Sequence, residues 1–405
     1  MAALTEVFHR KGGIPAFNRA LVRALADFGR ATGARTCVLS LNDSPADVDS
    51  RYTDPAAVRF QGYGRRKRRF ALGFLRAVLS SPELVILGHV NLLPLAWPLA
   101  LRGSPYLLVA HGTEAWQRLP GGGRRLLAHA RTVLAVSNYT REKLARQNGL
   151  SPAAWRVFPD TLDPFFLPAP EAPASPSTLL SVCRLDAQER GKGVDTVLRA
   201  LPALCRLLPD LRYVVVGAGS DRPRLEGLAR ELGVARAVQF TGLLSRSELS
   251  QRYSAASVFV LPSTQEGFGI VYLEAMAHAK PVVAARFAAV PEVVDDGATG
   301  LLIEPGNVPA LEAALEQLLR HADLRRRMGA AGRRRLAAHF TFDLFRRRLA
   351  RLLVELCPRA AYLAKRRSLL SPAPSAPAQA TASDFDQHSL PPLSQDRWEK
   401  KPIGS

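Results

Sequence analysis

Cysteine is scarce in this chain. Cys37, Cys183, Cys205 and Cys357 stand far apart and form neither a C-x-x-C pair nor a Cys/His spacing suited to zinc, so neither a disulfide framework nor a zinc site is indicated. They read as small buried hydrophobes in a reducing compartment. Long apolar runs are missing as well. The most apolar stretch, residues 84–101, is interrupted by His89, Asn91, Pro94 and Pro98, and no membrane span is expected. The N-terminus lacks the charged-then-apolar pattern of a signal peptide, so the expected location is cytoplasmic. Acidic residues are the third shortage: 35 Asp and Glu face 55 Lys and Arg, a formal charge of +20. That excess implies an anionic partner, whether nucleic acid, membrane or phosphate. Lysine is rare even among the cations, 8 of the 55.

What is present suffices for two domains of ordinary size: 405 residues, 47% hydrophobic and 22% charged. Residues 1–178 carry 23 basic and 12 acidic side chains, residues 179–360 carry 26 and 19, and the remainder 6 and 4. The excess therefore belongs to the folded part. Much of it is clustered in Arg65-Arg66-Lys67-Arg68-Arg69, Arg325-Arg326-Arg327, Arg333-Arg334-Arg335 and Arg346-Arg347-Arg348, which supply 14 charges.

Short apolar runs alternate with longer amphipathic ones, the pattern of strand–helix repeats on a parallel sheet. In the first half, strands are predicted near residues 4–8, 36–41, 84–87, 106–110 and 132–136, and helices over 15–28, 70–79, 124–130 and 140–147. Residues 168–178 are rich in Pro, Ala and Ser, which favours an extended linker. This divides an N-terminal domain, 1–167, from a C-terminal domain, 179–341. In the latter the alternation restarts with strands near 178–183, 211–216, 237–241, 258–261 and 281–284 and helices around 194–207, 223–232, from 269, and over 308–319. A final amphipathic helix is expected within 342–360, packing back on the N-terminal domain, and residues 368–405 form an expected disordered tail. The fold class is α/β, two Rossmann-like, doubly wound domains facing each other across a cleft.

Four loops at predicted strand carboxyl ends carry candidate chemistry. In the first, Glu266-Gly267-Phe268-Gly269 lies between a strand ending at Leu261 and a helix containing Glu274. Glycines let backbone approach a ligand, and the first helical N–H groups suit a phosphate. A carboxylate before such a helix can accept hydrogen bonds from sugar hydroxyls, and one eight positions on can reach a ribose; capping and core packing would explain the pair equally were it not for the glycines. In the second, Arg184 and Lys192 on one strand-to-helix loop can neutralise a diphosphate, the Arg as a fork and the Lys as a compact charge. Lys192 runs against the chain's bias to Arg, which favours a chemical need for Lys over a solvated loop. In the third, Gly12 and Gly13 after Lys11 allow a tight turn with exposed N–H groups. His111, directly after the strand at 106–110, sits where open α/β sheets bind ligands. Facing the two domains brings all four loops to one interdomain cleft.

Together these residues resemble the retaining glycosyltransferases of the GT-B fold known as family 4, over roughly residues 4–356. The most specific part is Glu266 to Glu274, with Pro281-Val282-Val283-Ala284 and residues 292–302, EVVDDGATGLL, downstream; Val136-Ser137-Asn138-Tyr139-Thr140 and Val215-Val216-Gly217-Ala218-Gly219 also match. The resemblance implies a nucleotide-sugar donor, a UDP- or GDP-sugar, as substrate, with no cofactor and no metal. It implies that Arg184 and Lys192 hold the diphosphate, Glu274 the ribose and Glu266 the sugar hydroxyls. The backbone of Gly267, Phe268, Gly269 and Ile270 would contact sugar or phosphate, Gly12 and Gly13 would approach the phosphate from the other domain, and His111 would line the reacting centre. His111, Glu266, Arg184 and Lys192 are thus the expected catalytic residues. Retention implies a front-face substitution in which the leaving phosphate helps deprotonate the acceptor, without Glu266 as covalent nucleophile. The chain departs from the pattern at Pro159-Asp160-Thr161-Leu162-Asp163, where many relatives read Pro-Asn-(Gly/Thr)-Val-Asp, and in a short first strand.

The resemblance implies a glycan or lipid-linked acceptor in cell-surface polysaccharide, lipopolysaccharide or glycolipid assembly. Arg65 to Arg69 followed by Phe70, Leu72, Phe74 and Leu75 reads as an interfacial segment, so residues 65–76 are a candidate contact with anionic membrane on the inner face of the cell membrane; an exposed Arg-rich helix start is the alternative. Nucleic-acid binding would call for aromatics interleaved with the basic runs or a reader motif, and neither is found. A sugar-nucleotide epimerase or phosphorylase shares the fold, which alone does not exclude it.

Overall fold

The computed structural model describes residues 1–168 and 177–366. Most of the 168–178 linker and all of the 368–405 tail read from the sequence lie outside the described residues. In the first half the elements run β1 (Ala2–Leu4), α1 (Gly13–Thr32), β2 (Thr36–Ser40), β3 (Val58–Gly62), α2 (Lys67–Leu79), β4 (Val85–Leu87), α3 (Ala96–Leu101), β5 (Tyr106–Ala110), α4 (Gly123–His129), β6 (Thr132–Ala135), α5 (Asn138–Asn148) and β7 (Arg156–Val157). They form a parallel sheet ordered β3-β2-β1-β4-β5-β6-β7. The second half runs β8 (Thr178–Val182), α6 (Val194–Leu207), β9 (Arg212–Val216), α7 (Arg222–Glu231), β10 (Val238–Gly242), α8 (Arg246–Ala255), β11 (Val258–Leu261), α9 (Ile270–Ala277), β12 (Val282–Ala285), α10 (Val290–Val293), β13 (Gly300–Ile303), α11 (Val308–Arg320), α12 (Ala322–His339), α13 (Phe342–Leu356) and α14 (Pro358–Arg366). Its sheet is parallel too, ordered β10-β9-β8-β11-β12-β13.

Both orders reverse direction beside their first strand, β1 against β4 and β8 against β11. At such switch points the loops leaving the strand carboxyl ends diverge and open a crevice, the usual ligand position of these sheets. β5 is buried over its whole length, as expected for a central parallel strand covered on both faces.

The first strand is shorter and earlier than the predicted 4–8. Its ladder stops at Leu4 because the buried Asp43 carboxylate collects the next amides: Val7 N–H donates to Oδ2 at 2.7 Å, and Phe8 and His9 N–H to Oδ1 at 2.7 and 2.6 Å. Edge strand β3 escaped prediction because Arg59 and Gln61 interrupt its apolar positions, and only Val58 is buried. The Arg-rich stretch before His339 is helix α12.

Phe345, Leu349, Leu352 and Leu353 form one buried stripe on α13, each worth about 2 kcal/mol in area removed from water. Phe345 meets Phe17 of α1 and Phe158 edge-on, with centroids 5.4 and 4.8 Å apart. Arg156 NH1 donates to Glu355 Oε2 at 2.7 Å, and Thr161 Oγ1 to the Phe340 carbonyl at 2.8 Å. The last helices thus cross back to the first domain, and a single apolar cluster runs through Phe17, Phe158, Phe345, Phe340 and Phe268 into both halves.

Candidate active site

All four sequence-nominated loops converge on one interdomain cleft of about 1060 Å³. Its lining includes Gly12, Gly13, His111, Arg184, Lys192, Glu266, Gly267, Phe268, Gly269, Ile270 and Glu274.

From the first domain, Asp43 folds the β1–α1 loop so that Gly12 opens α1 with φ 153°, and no side chain caps the helix. Amides of its first turn therefore line the cleft without a side-chain acceptor, an arrangement that favours an anion. A Cβ on Gly13 would meet nothing within 4 Å, so this turn faces open space. His111 is fixed from two sides. Glu114 Oε1 accepts the His111 and Gly112 amides at 2.8 and 3.0 Å, and His111 Nε2 donates to the Gly88 carbonyl at 2.9 Å. The latter bond leaves Nδ1 as the unprotonated nitrogen, and burial pulls the ring's pKa below the ordinary histidine value.

From the second domain, Lys192 Nζ donates to Glu266 Oε1 at 2.8 Å and to the Gln265 carbonyl at 3.3 Å. Burial disfavours the ammonium, but the charge and hydrogen bond of Glu266, with Glu189 behind it, outweigh burial and push the Lys192 pKa up. Arg184 is 64% exposed and pairs with Glu189 at 2.6 Å, so it is far less buried than Lys192. Glu274 lies on α9 with Oε2 accepting the Tyr253 hydroxyl at 2.7 Å; burial lifts its carboxyl to about 7 despite that bond. Tyr253 stacks on His278 at 5.2 Å, whose Nδ1 donates to the Glu274 carbonyl at 2.8 Å. Gly269 starts α9 in the left-handed region, φ 96°, again without a side-chain cap.

The two halves touch glycine to glycine. A Cβ on Gly267 would lie 2.0 Å from the His111 carbonyl oxygen, and one on Gly112 would lie 2.9 Å from Gly267 Cα. Glycine is needed here for close approach rather than for backbone conformation.

The roles of several carboxyl groups that line the cleft or join the two domains escaped sequence reasoning. Asp163 accepts from Arg19 Nε at 3.1 Å, Tyr52 OH at 2.6 Å and Arg246 NH2 at 3.1 Å, joining both domains through one carboxylate. Glu292 of the second domain accepts the amides of Asn138 and Tyr139 at 2.8 Å each, capping α5 of the first. Asp160, buried in the cleft wall, was visible only as a departure from a motif. The contacts of Asp163 and Glu292 could not be read locally, because their partners lie up to 154 positions away.

Two doubly wound parallel domains facing across a cleft at their strand carboxyl ends define the GT-B class of glycosyltransferases. The chain belongs to the glycosyl transferases group 1 family: the family model of that description matches residues 166–335, and the glycosyltransferase family 4 model matches residues 11–164. Its relatives include the GDP-mannose-dependent alpha-(1-6)-phosphatidylinositol monomannoside mannosyltransferase of Mycolicibacterium smegmatis, 37% identical over 293 residues, covering 67% of this chain and 76% of that one. A monoacylated-substrate counterpart from Corynebacterium glutamicum is 31% identical over 62% of this chain and 70% of its own. Among solved structures, sucrose-phosphate synthase from Thermosynechococcus elongatus superposes with a TM-score of 0.71 at 24% identity, over 88% of this chain and 98% of that one, a likeness of fold. The protein is a glycosyltransferase.

Proposed function

We propose that this glycosyltransferase moves mannose from GDP-mannose, with retention of configuration, to a glycolipid acceptor of the phosphatidylinositol mannoside kind. The observation that carries the donor and acceptor class is the 37% identity to the GDP-mannose-dependent enzyme over 76% of its length. The cleft supports the chemistry. Lys192 and Arg184 would meet the diphosphate from one side and the uncapped α1 amides at Gly12 and Gly13 from the other. Charge building on the leaving nucleoside diphosphate would then be met by preorganised protein donors. Glu274 would accept ribose hydroxyls, Glu266 the sugar's hydroxyls, and neutral His111 would line the reacting centre. In a front-face substitution the glycosidic bond to phosphate breaks as the acceptor oxygen attacks on the same face, and its proton passes to the departing phosphate.

An acceptor embedded in a membrane needs a docking surface. Phe70, Phe74 and Val78 fasten α2 to the core, which corrects the expectation that Phe70 and Phe74 belong to an interfacial face. The opposite face leaves Leu72, Leu75 and Leu79 outside; Leu79 is 68% exposed and Leu101 of α3 83%. Arg65 to Arg69 and Arg76, on α2 and the turn before it, and Arg102, directly after α3, are exposed as well, the composition of a surface that meets anionic lipid. The peripheral, inner-leaflet location rests on this patch.

A nucleotide-protection assay tests the donor assignment. GDP is expected to raise the melting temperature by several degrees where UDP at the same concentration does not; protection by UDP alone would refute the guanine assignment.

A further inference from the structure

Among the described residues, the cleft contains one carboxyl group for which neither the fold nor the proposed chemistry gives a partner. Asp160 follows β7 on the segment that returns from the first domain, is 7% exposed, and lines the cleft with His111 and Glu266. Its Oδ1 is buried and accepts no hydrogen bond. Buried polar oxygens are rarely left so, and those lining a cleft invite a ligand donor or acceptor.

The charges bearing on Asp160 are of its own sign. Glu114, from the loop after β5, and Glu266, from the loop after β11, both push its pKa up, after burial itself, and it stands well above the ordinary carboxyl value. Glu114 accepts the amides of His111 and Gly112, and Glu266 accepts from Lys192 Nζ. Among the cleft cations, Arg19 and Arg246 pair with Asp163 on the same segment, Arg184 with Glu189, and Lys11 donates to the Leu244 carbonyl; Arg10 lines the cleft too, and none of them bonds the Asp160 Oδ1. Toward α13 the segment is apolar, Phe158 packing on Phe17 and Phe345. A carboxyl so placed keeps its proton, and a protonated carboxyl both donates and accepts. A hydroxyl group has the same pair of capacities, whereas a phosphate would seek the cations.

We propose that Asp160 is a specificity-determining residue of the transfer site, an acid that gives its hydrogen bond to a hydroxyl group of a bound sugar. The proposal rests on the cleft being the transfer site. The hydroxyl can come from the donor's sugar or from the acceptor, and kinetics separate the two. Donor hydrolysis without acceptor involves only the first; transfer involves both.

The test compares wild type, Asp160→Asn and Asp160→Ala over pH 6 to 9, for transfer and for hydrolysis of GDP-mannose. The Asn variant keeps a donor and cannot ionise. Titrations of His111 and Glu274 are common to both proteins, so the ratio of wild-type to Asn-variant kcat/KM isolates Asp160. That ratio is expected to fall with rising pH as the Asp160 carboxyl gives up its proton. A fall in hydrolysis and transfer alike assigns the donor hydroxyl, and a fall in transfer alone the acceptor's. Asp160→Ala is expected to lose about 10²-fold or more in kcat/KM at every pH; should it fail to fold, the Asn comparison still decides. A ratio independent of pH in both reactions, with both proteins protected by a nucleoside diphosphate, would overturn the proposal. Absence of protection by any nucleoside diphosphate in wild type would instead overturn the transfer-site reading.

Discussion

Lys192 and Glu266 form the most informative pair in the molecule, because each is the other's partner and both line the cleft. Removing one leaves the other half-buried and unpaired, so each Ala variant loses a ligand contact and disturbs its neighbour. Lys192→Ala and Glu266→Ala are each expected to lower kcat by about 10²-fold or more, with the melting temperature within a few degrees of wild type. Unchanged transfer rates would remove both from the site. Glu274 gives a pH test. Its folded-state pKa of about 7 lies above the unfolded carboxyl value, so its contribution to stability is fully present below about pH 4 and is lost as pH rises through 7. The loss approaches ~3 kcal/mol by pH 8. Glu274→Gln should remove this slope; thermal melts at pH 5 and pH 8 would show it, and parallel slopes in the two proteins would contradict the burial argument.

At the scale of elements, the site depends on how closely loops from opposite domains approach. Gly267 against the His111 carbonyl leaves no room for a methyl group, the ideal Cβ lying 2.0 Å from oxygen. Gly267→Ala is expected to wedge the loops apart, reducing kcat/KM by about 10²-fold and lowering stability by about 1–3 kcal/mol; full activity would mean the contact is dispensable. Glu292 works over a longer reach, since its carboxylate supplies the acceptors for the α5 amides. Glu292→Ala should cost about 1–2 kcal/mol, read as a lowered denaturant midpoint, with partial recovery in Glu292→Gln.

What could be read from the sequence follows from these distances. The α13 stripe was legible because its spacing is local, and the glycine loops because a strand-to-helix turn keeps their residues together. The end of β1 was not, since it is set by Asp43 some 36 positions away. Nor was the inward side of Phe70 and Phe74: the amphipathic period of α2 is plain, but which face meets the core depends on where the sheet lies. Asp160 and Asp163 sit three positions apart on one segment, and only the folded chain separates a carboxylate caged by Arg19, Tyr52 and Arg246 from one left without a partner.

For the molecule as a whole, the scarcity of acidic residues resolves into two uses. A few cations, Lys192 and Arg184 above all, line the cleft, while the Arg-rich run at 65–69 is exposed at the start of α2, the helix that carries the exposed Leu72, Leu75 and Leu79. No helix among the described residues is long and apolar enough to cross a membrane, and the proposed lipid contact is assigned to this surface. Replacing Leu72, Leu75 and Leu79 by Ser should abolish co-sedimentation with vesicles containing anionic phosphatidylinositol, without changing hydrolysis of GDP-mannose in solution. Co-sedimentation equal to wild type would place lipid contact elsewhere. The claim joining cleft, family and surface is the transfer itself. Purified protein with GDP-mannose and a phosphatidylinositol mannoside in vesicles should yield an acceptor longer by one α-linked mannose, its anomeric configuration read by NMR. A β-linked product, or transfer from UDP-sugars and none from GDP-mannose, would contradict it.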